Sequence, residues 1–198
     1  EFEDFSPPAL DALEAAFGEP VTPAALAVDH ELARRWSMLK SESLLELSLE
    51  LTETVRRYQP DIKTARNIFA SALLDDQAYS YLAQDYDRFL ETYDVVALMA
   101  MPRLEAREDE KDFYEGLVAR VSLNPEGLGR TVFQLQTVDW SNSQPINSSD
   151  LRQSFRWLQS LGVRHLGYYP DDFIKGHPKL DDVRLGMSLA NEYGEVMP

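Results

Sequence analysis

Cysteine is absent from this sequence of 198 residues, which excludes disulfide bonds, thiolate metal sites and cysteine nucleophiles. Basic residues are scarce: 19 Lys and Arg stand against 34 Asp and Glu, so the formal net charge is −15. Phosphate backbones and anionic lipids need clustered cations, so this balance argues against nucleic acid and anionic membranes and is compatible with a cationic ligand. Apolar runs are short, and we expect neither a signal peptide nor the roughly 18-residue run of a membrane-spanning helix.

Several motifs of catalysis and cofactor binding are also missing. The histidines His30, His165 and His177 lie far apart, and no pair has the spacing of a zinc site. No strand is followed by a glycine-rich phosphate turn, and no serine nucleophile stands in a GxSxG motif. We therefore expect no metal and no cofactor in this segment.

What is present is a globular composition, with 44% hydrophobic and 27% charged residues, at a length typical of one domain.

The first part of the chain is helical in pattern. Ser6 before Pro7 predicts a helix start, with Gly18 as its stop, and Thr22 before Pro23 predicts a second start. A long helix is predicted from 29 to about 58, because apolar residues recur there at steps of three and four.

After Pro60 the pattern alternates between strands and helices. The strands begin near 62, 95, 131 and 165, roughly 35 residues apart, which is the length of one βα unit. Such units form either a doubly wound sheet or a (β/α)8 barrel. The missing glycine-rich phosphate turn argues against a dinucleotide-binding doubly wound sheet. A full barrel needs about 250 residues and eight strands, so the sequence predicts an α/β fold that is half of a barrel. The predicted strands span 62–69, 95–101, 131–138 and 163–169, and the predicted helices 76–93, 108–121, 148–161 and 181–191.

The predicted strand ends carry aromatic rings, amides and carboxylates. In a (β/α) barrel the functional residues lie at these ends. Sugar sites use this mixture, because rings stack on the apolar pyranose face while amides and carboxylates bind hydroxyl and amino groups. Carboxylates also serve as the acid and base of glycoside hydrolysis. The residues are Arg66, Asn67, Glu105, Gln134, Gln136, Asp139, Trp140, Tyr168, Tyr169, Asp171 and Asp172.

Each of these residues also has a purely structural interpretation. Trp140 is suited to covering the core, and the adjacent tyrosines of the last strand point to opposite sides, so at least one of them packs. Asp171 and Asp172 are suited to a turn or a helix cap. Glu105 opens a charged stretch that resembles a solvated loop.

Five segments together resemble the C-terminal domain of the poly-β-1,6-N-acetyl-D-glucosamine N-deacetylases, the PgaB/HmsF type of bacterial biofilm protein. They keep their order and spacing over nearly the whole chain. The segments are 1–7 (EFEDFSP), 63–70 (KTARNIFA), 99–105 (MAMPRLE), 135–140 (LQTVDW) and 162–173 (GVRHLGYYPDDF).

The resemblance implies a periplasmic, outer-membrane-associated parent protein with two domains. Its N-terminal deacetylase domain, with a divalent metal, is expected to be absent from this chain. The C-terminal domain is a glycoside-hydrolase-like barrel that binds partly deacetylated poly-N-acetylglucosamine and, in some members, hydrolyses it. Residues 1–198 correspond to the C-terminal half of that barrel, whose missing N-terminal half is an expected partner. The main catalytic acid is expected upstream of Glu1.

The resemblance also implies roles for individual residues. Trp140 matches a glycan-stacking tryptophan, Tyr81 falls where relatives often carry a tryptophan, and Glu1 stands where they carry an aspartate. Glu105 and Asp171 are the candidate catalytic residues. The candidate substrate-binding residues are Glu1, Asn67, Tyr81, Gln136, Trp140, Tyr168, Tyr169 and Asp172.

Three functional hypotheses follow. The first is export-coupled binding of the cationic polymer, with endo-hydrolysis as an added activity; the net charge of −15 would attract its ammonium groups. The second is a non-catalytic module that guides the polymer to an export porin. The third is an α/β scaffold whose strand-end aromatic residues only pack.

Overall fold

The computed structural model describes residues 6–18, 20–75, 78 and 82–188, which divide between two compact units. The first unit comprises 1–62 and 75–85, and the second 63–74 and 86–198. No helix among the described residues is both long and apolar enough to cross a membrane.

Among the described residues up to 62, the first unit has three helices, and side chains cap two of them. The three helices are α1 (Pro7–Phe17), α2 (Pro23–Val28) and α3 (His30–Arg56). The Thr22 hydroxyl accepts the Ala25 N–H at 3.1 Å, at the predicted second helix start, and the Asp29 carboxylate accepts the Leu32 N–H at 3.0 Å, so both side chains cap helices. Ser6, at the predicted start of α1, makes no side-chain cap hydrogen bond.

The core of this unit forms around three buried residues of its helices and loops. Leu13, Val21 and Trp36 pack together, with partly buried apolar side chains around them. Gly18 ends α1 in the left-handed region at φ 76°, which glycine adopts without steric cost. The helix α3 is amphipathic only in part, because Leu44, Leu47 and Leu51 in its second half are exposed.

The second unit is built on a parallel sheet. Four strands pair in the order β1–β2–β3–β6, so neighbours in the sheet follow one another along the chain, apart from a short hairpin of β4 and β5. The strands are β1 (Ala65–Phe69), β2 (Val95–Met99), β3 (Thr131–Gln136), β4 (Val138–Asp139), β5 (Gln144–Pro145) and β6 (Leu166–Tyr169). The helices are α4 (Ser71–Leu74), α5 (Tyr86–Thr92), α6 (Glu110–Val121), α7 (Gly127–Arg130), α8 (Ser148–Ser160) and α9 (Leu180–Met187).

The two faces of this sheet differ in burial. On one face Ile68, Leu98 and Phe133 stand side by side in register and are fully buried. Sequential parallel strands with right-handed crossovers place their connecting helices on one face, and this is the face that those helices cover. On the other face Asn67 and Tyr169 are exposed. The predicted α/β class with a parallel sheet is therefore confirmed.

Several predicted elements have different bounds in the structure. The predicted helix over 76–93 is wrong as a continuous element, because residues 83–85 are not helical and Ala83 has φ 51°. Its described helical part in the second unit is α5. The first predicted strand, 62–69, begins only at Ala65. The last predicted helix, 181–191, ends at Met187, and its final residues lie outside the described part of the chain.

Candidate functional site

The candidate site is the edge of the parallel sheet where its strands end. Four segments lie there: 70–74 after β1, 100–109 after β2, 137–147 after β3 and 170–179 after β6. Because all four strands run in the same direction, these segments meet at one edge. Most of the predicted site residues lie in these segments or in the last residues of β3 and β6.

Trp140 and Tyr169 form an exposed aromatic pair at this edge. Their ring centroids are 6.3 Å apart with an angle of 22° between the planes, which is a stacked arrangement. Trp140 is 39% exposed and Tyr169 is 59% exposed, so neither ring is a buried cover of the core. The pair joins the β4–β5 hairpin to the end of β6 and presents aromatic surface to solvent, as a sugar-binding platform does.

Tyr168 points away from Tyr169 and contacts Asp171. The Tyr168 hydroxyl donates a hydrogen bond to the Asp171 carboxylate at 2.9 Å. Partial burial raises the pKa of Tyr168, and the bond to Asp171 raises it further, so the phenol remains protonated at neutral pH. This contact fixes the orientation of the Asp171 carboxylate.

Glu105 is held by the segment that follows β1. Its Oε1 accepts the backbone N–H of Ser71, the first residue of α4, at 3.1 Å. The residue is half-buried, so it is not simply part of a solvated loop. The bond connects the segment after β2 to the segment after β1.

Gln136 is buried, at 4% exposure, and its amide is engaged by backbone groups. Its Oε1 accepts the N–H groups of Arg103 and Leu104 at 3.0 and 3.1 Å, and its Nε2 donates to the Val138 carbonyl at 2.9 Å. The two bonds to Arg103 and Leu104 order the segment that carries Glu105. A direct contact of Gln136 with substrate stays a prediction.

Asp172 caps a turn, as its structural interpretation expected. Its Oδ1 accepts the N–H groups of Ile174 and Lys175 at 3.1 and 2.9 Å. The hydrogen bond from the Lys175 backbone is the largest of the effects that lower the pKa of Asp172. The backbones of Asp172 and His177 also exchange two hydrogen bonds, of 2.7 and 3.1 Å, which close the turn.

One predicted residue is not at a strand end, and two others lie outside the described residues. Asn67 was expected at the end of β1, but this strand continues to Phe69, and Asn67 lies in its middle, in register with Ala97. Glu1 and Tyr81 lie outside the described residues.

The sequence did not single out the contacts that connect the segments after β2, β3 and β6. The Asp139 carboxylate lies 3.7 Å from the Arg103 guanidinium. Hydrogen bonds from Ser141, that of its hydroxyl above all, lower the pKa of Asp139. The buried Thr137 donates its hydroxyl to the Pro170 carbonyl, and its own carbonyl lies 2.9 Å from His177 Nε2. The only sequence signal for Thr137 is a polar residue at the end of an apolar strand.

The described residues of the second unit contain no cluster of metal ligands. Within the described ranges, no group of three His, Asp or Glu side chains could hold a metal ion. A surface cavity of about 510 Å³ lies between α6 and α8, on the helical side, and none of the predicted site residues lines it.

Comparisons with known proteins agree with this arrangement. Residues 1–169 match the family described as "Hypothetical glycosyl hydrolase family 13". The chain is 34% identical over 196 residues to the poly-beta-1,6-N-acetyl-D-glucosamine N-deacetylase of Escherichia coli (strain K12), and equally so to that of E. coli O157:H7. These matches cover 96% of this chain but only 29% of each relative, so the chain spans less than a third of their length.

A solved structure is similar as well. It is titled as the PgaB (BpsB) glycoside hydrolase domain from Bordetella bronchiseptica, and it is 40% identical with a TM-score of 0.83. The match covers 94% of this chain and 53% of that one. The chain therefore belongs to hypothetical glycosyl hydrolase family 13, as a relative of the glycoside-hydrolase domain of the poly-β-1,6-N-acetyl-D-glucosamine N-deacetylases.

Proposed function

We propose that residues 1–198 form the C-terminal half of a (β/α)8 barrel domain in a longer, periplasmic and outer-membrane-associated protein. Sequential parallel strands with helices on one face are the arrangement of such a barrel. The opposite face of the sheet, which exposes Asn67 and Tyr169, would line the barrel interior. The match to only 53% of the Bordetella domain supports a half of this kind, because the rest of that domain would supply the missing strands.

The proposed function is binding of partly deacetylated poly-β-1,6-N-acetyl-D-glucosamine, with hydrolysis of its glycosidic bonds. The observation that carries it is the exposed stack of Trp140 on Tyr169 at the strand ends, where the segment after β6 also supplies the Asp171 carboxylate. Pyranose rings stack on such a platform, and carboxylates attract the ammonium group of a deacetylated unit. The net charge of −15 favours the same cationic ligand.

The carboxylates would divide the chemistry between them. Glycoside hydrolysis needs a general acid at the leaving oxygen and a second carboxylate that acts as a base or nucleophile. We assign the general acid to the half of the barrel that precedes this chain. Glu105 and Asp171 would then orient the attacking water or the amino group of the substrate, since each is held by one defined hydrogen bond.

The alternative is a module that binds the polymer and guides it to an export porin without cleaving it. In this version the hydrogen bonds of Glu105 with Ser71 and of Asp171 with Tyr168 would hold the two carboxylates only as ligands for the amino groups of the polymer. The two versions share the binding site and differ only in whether products form.

The experiment is a titration followed by product analysis with the full-length protein. We expect glucosamine-containing β-1,6 oligomers to bind and to be shortened by the wild type. Asp171→Asn and Glu105→Gln should reduce the rate of product formation at least tenfold while the aromatic platform still binds. Binding without shortened products would favour the guiding module. An absence of binding would contradict both versions.

A further inference from the structure

Two adjoining cavities form a groove on the helical side of the second unit. One, of about 510 Å³, lies between α6 and α8, and the other, of about 550 Å³, lies along α8 towards α9. Both are lined by Lys111, Gln153 and Trp157, which therefore form the middle of this α6–α8 groove. The helices α6 and α8 follow the inner strands β2 and β3, whereas the other half of the proposed barrel would join at the outer strands β1 and β6. The groove would therefore stay exposed in a complete barrel.

The two ends of the α6–α8 groove carry opposite charge. The first cavity is lined by carboxylates near the N-terminal ends of α6 and α8, and the second by arginines of α8. The carboxylates are Glu108, Asp109, Glu110 and Asp150, and the arginines are Arg152 and Arg156. Local contacts compensate part of this charge, since Asp109 caps α6 and Arg152 lies 3.4 Å from the Asp182 carboxylate. The groove is nevertheless acidic at one end and basic at the other.

The middle of the groove is incomplete in the single chain. Trp157 Nε1 is buried and has no hydrogen-bond partner among the described residues. A buried donor without an acceptor costs free energy, so such groups are rare in a finished interior. The Lys111 ammonium lies 4.5 Å from the centre of the Trp157 ring, and Lys111 is exposed. The middle of the groove therefore offers an aromatic ring and a cation to a second surface.

We propose that the α6–α8 groove is the contact surface between two copies of the protein that are related by a two-fold axis. In a two-fold interface the same surface faces itself, so that surface has to be complementary to itself. The groove meets this condition, because an axis through its middle places each acidic end over the basic end of the other copy. A partner of one charge sign would instead be repelled at one of the two ends. The inference is independent of the proposed sugar binding.

The size of the surface sets the expected strength of the association. The helices α6 and α8 have 12 and 13 residues, which corresponds to lengths of about 18 and 20 Å. Such a face lies at the lower limit of specific protein interfaces, so we expect reversible association with a roughly micromolar or weaker Kd. Because opposite charges carry it, the association should weaken as the salt concentration rises.

The test is sedimentation equilibrium of the full-length protein at about 0.15 M salt. We expect the acidic double variant Arg152→Glu, Arg156→Glu and the basic double variant Glu108→Lys, Asp150→Lys each to self-associate at least about tenfold more weakly than the wild type. In each variant both ends of the groove have the same sign, so two copies repel. An equimolar mixture of the two variants should form a mixed dimer with nearly wild-type affinity, because every end again faces the opposite charge.

The matched control is Lys63→Glu, Lys175→Glu, which changes the net charge as much as the acidic variant does. Both lysine side chains are more than 80% exposed, and neither lines the groove, so self-association should stay at the wild-type level. The neutral double variant Arg152→Gln, Arg156→Gln should weaken self-association by less than the acidic variant, and it replaces that variant in the test if the acidic one does not fold.

A wild type that remains monomeric up to about 1 mM would overturn the proposal. So would groove variants that associate as the wild type does, or a mixture of the acidic and basic variants that forms no mixed dimer. A monomeric wild type whose groove variants lose thermal stability would show that another part of the same protein covers the groove, which also overturns the dimer.

Discussion

The two edges of the parallel sheet use polar side chains in different ways. At the edge where the strands begin, polar side chains form hydrogen bonds with backbone groups. At the edge where they end, part of the polar and aromatic surface remains available to solvent. The difference separates residues that hold the fold from residues that can hold a ligand, although both edges are rich in the same residue types.

The edge where strands begin is held by Arg130 and Asp94. Arg130 Nη2 donates to the carbonyls of Leu90 and Tyr93, both at 2.6 Å, and its Nε donates to the Asp94 carbonyl at 3.3 Å. The Asp94 carboxylate accepts the Thr64 N–H at 2.8 Å. Each bond attaches a loop to the start of a strand, so we expect these residues to act on stability.

The edge where strands end contains both kinds of residue. Gln136 and Thr137 are buried and bonded to backbone groups, whereas Trp140 and Tyr169 are exposed. The buried pair holds the loops, and the exposed pair is free to contact a sugar. Position at this edge is therefore not enough to assign a binding role, because burial decides between the two.

The largest effect is expected from Arg130→Met. Three backbone carbonyls would lose a charged donor, so the free energy of unfolding should fall by about 2–3 kcal/mol in urea denaturation. Arg130→Lys keeps the charge but not the planar fork, and it should fall between the wild type and Arg130→Met. The affinity for the oligomer should not change at a low temperature at which Arg130→Met is folded. A loss of affinity under that condition would contradict the distinction between the two edges.

Gln136→Met tests a structural residue within the other edge. It leaves the N–H groups of Arg103 and Leu104 without their acceptor, so we expect a loss of about 1–3 kcal/mol in the free energy of unfolding. Gln134→Met is the matched control, since Gln134 is half-buried on the same strand. Equal losses for the two variants would contradict a special role for Gln136.

Trp140→Ala tests the exposed pair. Affinity for a glucosamine-containing oligomer should weaken by about 1–3 kcal/mol in calorimetry, the scale of a lost aromatic contact. Stability should change little, because the ring is 39% exposed. Trp157→Ala, on α8, should do the reverse and lower stability without changing affinity. Unchanged affinity in Trp140→Ala would remove this residue from the site.

The smallest effect is expected from Asp94→Asn. Hydrogen bonds from Thr64 and Lys63 lower the pKa of Asp94 to about 2, from its ordinary value of 3.8. A lowered pKa contributes stability that is present above pH 4 and is lost as the pH falls towards 2. The urea midpoints of wild type and Asp94→Asn should therefore differ at pH 5 and converge near pH 2. A gap of the same size at both pH values would show that the charge of Asp94 is not the cause.

Local rules explain which elements could be predicted. Thr22 caps the helix whose start it predicted, because a cap depends on residues three positions apart, whereas Ser6 makes no side-chain cap hydrogen bond. The strands of the sheet were recognised from their apolar runs. The predicted helix over 76–93 was wrong because the non-helical residues around Ala83 interrupt it, and nothing in the apolar spacing signals that interruption.

The candidate site could be predicted as a set of positions but not as a set of roles. Trp140, Tyr169 and Asp171 were identified because they follow predicted strands. That Gln136 holds a neighbouring loop, and that Trp140 stacks on Tyr169, depends on contacts between segments about 30 residues apart. Periodicity along the chain carries no information on such contacts.

The sequence by itself determined the acidic charge, the helical first unit, the succession of βα units and the family resemblance, because each depends on composition or on short-range spacing. Only the tertiary structure decided which strand-end residues are buried supports and which are exposed. It also brought Lys175, His177 and Lys179 to one cleft between the β4–β5 hairpin and the segment after β6. The physical reason is that burial and neighbourhood at a sheet edge arise from strand pairing, which joins segments that the chain itself keeps apart.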